Sequence, residues 1–168
     1  MNRPEKQSEP EIDRLGREAF INLFLAAGRF ADEVEELCKA NGLTMSHYTV
    51  LWVVCLSRSP EGASMRVIAD GILTRAADAT RLVDRLTKDG HVERTNSAED
   101  RRVVLIRPTR SGRALFKRIT AAVKELHRAQ WEPLTGAELR ELRRLLVKTL
   151  WGAASSPDRH PLEVLTPT

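Results

Sequence analysis

The chain has little of what marks several large protein classes. It contains only two cysteines, Cys38 and Cys55. Neither belongs to a C-x-x-C pair, so a disulfide-stapled scaffold and a cysteine-rich zinc site are both excluded. No apolar run approaches the ~18 residues of a membrane span. Met1 is followed by polar residues where a signal peptide has its apolar core, so the expectation is a cytoplasmic protein with no membrane role. The four histidines, His47, His91, His127 and His160, are scattered. With no H-E-x-x-H, no G-x-S-x-G, no P-loop and no G-x-G-x-x-G after a strand, nothing points to an enzyme, a metal centre or a cofactor.

What is present is an ordinary globular composition, 42% hydrophobic and 30% charged over 168 residues. That length suits one domain, able to bury about two-thirds of its unfolded surface. The net charge of +4 understates how the charge is arranged. Between Ser64 and Arg118 thirteen basic residues face seven acidic ones, so this segment alone exceeds the excess of the whole chain and the positive field is local.

Hydrophobic spacing divides the chain. Residues 1–10 are polar with two prolines and read as a disordered arm. Ile12, Leu15, Ala19, Leu23, Ala27, Phe30, Val34, Leu37 and Cys38 fall in steps of three and four, which predicts one long helix over 11–40, ended by Asn41-Gly42. A stripe of that length needs a partner along it. Thr44 caps a second, almost wholly apolar helix, with Leu43 and Tyr48 placed as a hydrophobic staple. A loop over 57–63 follows. Ser64 caps a third helix whose Val67, Ile68 and Ile72 face inward, and Gly71 allows a close approach or a tight exit.

Thr74 or Arg75 opens the next helix, with Ala79, Leu82, Val83 and Leu86 inward. Its opposite face carries Ala77, Thr80, Arg81, Asp84 and Lys88, flanked by Asp78 and Arg85. Asp84 is spaced for an ion pair with Lys88. After Asp89-Gly90, residues 91–94 and 102–107 read as two strands around a polar tip, residues 95–101. Thr109 caps a helix over 110–130. Thr135 and Glu138 form the capping box of a last helix bearing Leu139, Leu142, Leu145, Leu146 and Leu150. Residues 152–168 read as a loose tail.

Helix, tight turn, helix and a basic hairpin form an arrangement that reads a DNA groove. Arg81 suits direct readout, because a guanidinium grips guanine O6 and N7 with two bonds. Thr80 and Ala77 offer methyls to thymine. Arg101 and Arg102 at the hairpin tip suit a minor groove, with Asp100 orienting one of them, and Arg94 is a further wing contact. Cys38 and Cys55, both among apolar neighbours, read as packing residues.

A-T-R-L-V-D-R-L-T-K-D-G-H-V-E-R (79–94), E-D-R-R-V-V-L-I (99–106) and P-T-R-S-G (108–112) resemble the MarR family of bacterial transcription regulators. Upstream, Leu43-Thr44 and His47-Tyr48-x-Val50-Leu51 resemble the family's L-T-x-x-Q-Y-x-V-L, with His47 in place of glutamine. Order and spacing hold over 11–151. Where the family often has Ser or Asp followed by Ser or Thr, this chain has Arg75, Ala76, Ala77 and Asp78.

The resemblance implies a mainly α fold with a small β-hairpin wing, a winged helix-turn-helix over 44–109, and terminal dimerisation helices over 11–40 and 110–151. It also implies a ligand cleft between the dimer and DNA-binding regions. His47, Tyr48 and Trp52 are its candidate lining, with an aromatic or anionic effector. The function expected is a ligand-responsive repressor that binds a pseudo-palindromic operator as a homodimer. Its double-stranded DNA contacts are expected from Thr74, Arg75, Ala77, Thr80, Arg81, Arg85, Arg94, Arg101 and Arg102. Two other readings stay open: a winged-helix module for protein contacts, and a small-molecule-binding dimer without DNA binding, to which Asp78 in the recognition helix is suited.

Overall fold

The second helix is the centre of the molecule. In a computed structural model describing residues 10–57, 59–71, 78–100 and 102–152, α1 spans Glu11–Lys39, α2 Met45–Cys55, β1 Ala63–Ser64 and α3 Met65–Gly71. After these come α4 (Ala79–Lys88), β2 (Val92–Asn96), β3 (Val104–Pro108), α5 (Arg110–Trp131) and α6 (Gly136–Trp151). Eight of the 11 side chains of α2 are apolar or aromatic, and Tyr48, Val50, Leu51, Val53 and Val54 are all buried. A helix that is hydrophobic all round must be enclosed by its neighbours. Here α1, α3, α4, α5 and β3 surround it, contributing Cys38, Ile68, Val83, Leu86, Ile119 and Ile106 to one core. Each such residue, fully buried, stabilises the fold by about 1.5–3 kcal/mol relative to exposure.

The turns are fixed by backbone chemistry. Gly42 and Gly90 take φ of 78° and 72°. At Gly90, the His91 N–H donates to the Leu86 carbonyl at 2.8 Å and the Gly90 N–H to that of Thr87 at 3.0 Å, closing α4 in a Schellman motif. Gly71 lies against Val53, where an added Cβ would come within 2.8 Å of a methyl. This is the close packing of α3 on α2 that the sequence suggested.

The sheet is antiparallel in the order β1-β3-β2, with Arg94 opposite Ile106 and Ala63 also opposite Ile106. β1 departs from the expected loop over 57–63. Its two residues carry no strand periodicity, and only the open edge of β3 makes them a strand. The wing strands begin and end a residue or two later than their sequence suggests. Arg102 lies in the tip turn, not in β3.

Val67, expected inward, is exposed, whereas Ile68 is fully buried. A helix of 7 residues turns only one narrow stripe inward. Arm residues 1–9, tail residues 153–168, Ile72, and the DNA-facing candidates Thr74, Arg75, Ala77 and Arg101 lie outside the described residues.

The two ends differ from the centre. Every residue from Glu11 to Arg29 is exposed, including Ile12, Phe20, Phe24 and Leu25. Only the last turns of α1 reach the core, through Val34 and Cys38. α6 is well capped by Thr135 and Glu138 as expected, yet none of its residues 136–150 is buried. No helix among the described residues is long and apolar enough to cross a membrane.

Candidate nucleic-acid interface

α4 is strongly amphipathic. Ala79, Val83 and Leu86 are buried, and Thr80, Arg81, Asp84, Arg85 and Lys88 are exposed. The 3.6-residue period of A-T-R-L-V-D-R-L makes this division, because its apolar residues recur at intervals of three and four. The inward face anchors the helix, and the outward face carries three bases and one acid.

Asp84 does not pair with Lys88, the partner its helical spacing favours. It forms an ion pair with Arg94 on β2. Arg94 projects from a packed strand, and its planar guanidinium fork fits a carboxylate better than a lysine ammonium does. The pair sets the exposed face of α4 beside the first wing strand. Arg85, the flanking base, is held by Asp89 at 2.7 Å. Arg81 lines a cavity of about 440 Å³ with Asp78, Leu82, Glu35, Thr44, Ser46 and His47.

The wing tip is an ordered turn. Asp100 accepts a hydrogen bond at 2.9 Å from the Arg102 backbone N–H, and its carbonyl accepts one from Val103, also at 2.9 Å. The carboxylate thus holds the Arg102 backbone, leaving the guanidinium exposed. Ser97 ties the wing to the loop before β1 by donating to Glu61 at 3.1 Å.

The P-T-R-S-G motif has a structural task. The Thr109 hydroxyl accepts from the Gly112 N–H at 3.0 Å and donates to the Gly90 carbonyl at 2.7 Å. Ser111 donates to the same carbonyl at 2.8 Å. Gly112 packs so tightly on His91 that any Cβ would overlap the His91 carbonyl oxygen. Helix α5 is thereby locked to the turn between recognition helix and wing.

Of the three candidate cleft residues, Tyr48 and Trp52 come together and His47 lies apart from them. Tyr48 is buried, stacks on Phe116 with centroids 6.0 Å apart, and shares a 3.2 Å hydrogen bond with Thr120. Trp52 meets both rings edge-on. Its Nε1 is buried and has no hydrogen-bond partner among the described residues. Phe116, which sequence reasoning passed over, sits three residues before Ile119 on the stripe of α5, so its spacing was a usable signal.

His47 instead belongs to the cap of α2. Its Nδ1 lies 2.7 Å from the Thr44 hydroxyl and 3.4 Å from the Thr44 N–H. Glu35 of α1 accepts from the Met45 N–H at 2.7 Å. No local pattern marks Glu35, since the contact crosses the turn between two helices. Burial pushes the Cys38 and Cys55 thiols up to about 11. At neutral pH only on the order of one in 10⁴ is thiolate.

The residues 41–103 match the family model described as MarR family. The HTH-type transcriptional repressor IacR of Pseudomonas putida is 30% identical over 140 residues, 82% of either chain. The HTH-type transcriptional regulator PrsX of Escherichia coli is 33% identical, covering 73% of this chain and 72% of its own. Among solved structures, CouR from Rhodococcus jostii RHA1 bound to p-coumaroyl-CoA superposes with a TM-score of 0.72 at 26% identity, covering 84% of this chain and 98% of that one. A cysteine-to-serine mutant of E. coli MarR complexed with operator DNA superposes at 0.67 and 27% identity, covering 83% and 96%. With a winged helix-turn-helix at its centre and transcriptional regulators, not enzymes, as its relatives, this chain belongs to the MarR family of transcriptional regulators.

Proposed function

We propose that the protein is a cytoplasmic, ligand-responsive repressor that binds a pseudo-palindromic operator as a homodimer. The observation that carries the DNA reading is the exposed Thr80-Arg81 face of α4, set beside the wing by the Asp84–Arg94 pair. Arg81 reads a base edge from the major groove, and Arg101 and Arg102 at the wing tip enter the adjacent minor groove. Arg85 and Arg94, both already paired with carboxylates, reach phosphate from fixed positions, and Thr74, Arg75 and Ala77 complete the helix's approach.

Dimerisation through 11–40 and 110–151 is supported by the exposed apolar side chains of α1 and α6, which a second copy would cover. A two-fold dimer presents its two winged modules to half-sites about one helical turn, ~34 Å, apart. The buried, unpaired Trp52 Nε1 beside Tyr48 and Phe116 favours an aromatic effector with a hydrogen-bond acceptor. Such a molecule shifts DNA affinity only if it binds the two conformations unequally.

Selection of bound fragments from the source genome, followed by titration of the recovered duplex, tests the reading. Affinity should fall steeply as salt rises, since each neutralised phosphate releases counterions. Arg81→Ala should cost about 1–3 kcal/mol on the selected duplex and far less on random DNA. Changing Arg101 and Arg102 together to Ala should weaken both. If selected and random duplexes bind the wild type equally weakly at low salt, the chain is instead a module for protein contacts or a ligand-binding dimer.

A further inference from the structure

His47 stands at a junction of the long first helix, the central helix and the recognition helix. It lines two adjoining cavities, one with Glu35, Asp78 and Arg81, the other with Lys39, Arg85 and Asp89. Its Nδ1 accepts from the Thr44 N–H at 3.4 Å and shares a 2.7 Å hydrogen bond with the Thr44 hydroxyl in which either partner can donate, the capping-box role that a glutamine side chain fills without titrating. The chain has put a group that gains a proton near physiological pH at that position.

We propose that His47 is a proton-sensitive latch: neutral, it completes the cap that holds α2 between α1 and α4, and protonated, it loosens that junction and weakens DNA binding. Protonated Nδ1 can still donate to the Thr44 hydroxyl but no longer accepts from the Thr44 N–H, and the new charge sits at a helix N-terminus, where the dipole disfavours a cation. It also faces charges from both neighbouring helices. Lys39 on α1 and Arg81 and Arg85 on α4 repel it, while Glu35 on α1 and Asp78 and Asp89, flanking the two ends of α4, attract it. Two of these carboxylates are already engaged, Glu35 with the Met45 N–H and Asp89 with Arg85, both at 2.7 Å. Turning either toward the imidazolium would release an α2 amide or the Arg85 guanidinium.

Burial first and Arg85 second hold the His47 imidazole below its ordinary value, against the opposing pull of Asp89 and Glu35. The unfolded chain therefore binds this proton more readily than the folded one. Stability is full above the ordinary histidine value and is lost as pH falls below it, levelling off once the folded protein is protonated too.

The test uses the full-length protein and its His47→Gln variant, in which glutamine still accepts the Thr44 N–H but never charges. Melting temperature and affinity for a duplex recovered by genomic selection are measured at about pH 7.5 and about pH 5.5. The wild type should lose about two- to tenfold more affinity on acidification than the variant, the equivalent of one net hydrogen bond, and its melting temperature should fall further. Parallel profiles, or a wild type that gains affinity relative to the variant in acid, overturn the proposal. The DNA arm rests on the regulator reading. The melting arm does not, so failure to bind any duplex leaves the latch judged on stability. Whatever the variant does, NMR titration of the assigned His47 Cε1–H in the wild type should give a midpoint below that of a model-peptide histidine. A midpoint at or above it also overturns the latch.

Discussion

The winged-helix centre and the terminal helices use the same amphipathic arithmetic and reach opposite results. In α4 the inward residues Ala79, Val83 and Leu86 are buried and Leu82 is half-buried, all within one chain. In α1 the stripe from Ile12 to Ala27 has equally regular spacing, yet it is exposed throughout. Phe20, Ile21, Phe24 and Leu25 add exposed apolar surface to other faces of the same helix. Periodicity says that a helix has a side to bury. It does not say whether the covering surface lies in the same chain. A helix apolar on several faces is stable in water only when enclosed on several sides, and here only Val34, Cys38 and the last turns have that enclosure.

The largest effect should come from putting charge on the uncovered region. Changing Phe20 and Phe24 together to Asp should convert a dimer into a monomer by sedimentation and abolish tight operator binding. The centre should remain folded by circular dichroism, because neither ring contributes to the core. A variant that stays dimeric would move the interface off α1.

Gly112→Ala strikes the joint between the two regions. The new methyl collides with the His91 carbonyl, a backbone atom held by Thr109 on the adjoining turn. A destabilisation of about 3 kcal/mol in urea unfolding is expected. Thr135→Ala removes the cap of α6 and should cost about 1 kcal/mol. If α6 is ordered by a second copy, that cost should appear as weaker dimerisation more than as a less stable centre. The smallest effect belongs to the Asp84–Arg94 pair. Both side chains are about half exposed, so a double-mutant cycle should give under about 1 kcal/mol of coupling in stability. DNA affinity should fall more than stability if the pair's task is to align helix and wing.

Much of the fold was legible because its determinants are local. Thr44, Thr109 and Thr135 mark their helix starts, and each hydroxyl accepts the expected backbone N–H. Gly42 and Gly90 mark the turns that need positive φ. The inward residues of α4 followed from their intervals. What stayed hidden depends on elements far apart in sequence. Strand β1 exists because β3 offers it an edge, Asp84 pairs with Arg94 because β2 packs beside α4, and Glu35 caps a helix that begins ten residues later.

The sequence by itself determined which segments are helices, where most of them begin and end, and where the positive charge collects. Those properties arise from interactions within a turn or two of chain. The start of α4, expected at Thr74 or Arg75, lies outside the described residues, which take up the helix at Ala79. The tertiary structure alone decided which apolar faces are covered inside one protomer, which carboxylate holds which arginine, and that His47 stands where three helices meet. Those outcomes turn on how different elements pack against one another, which spacing within one helix or strand does not encode.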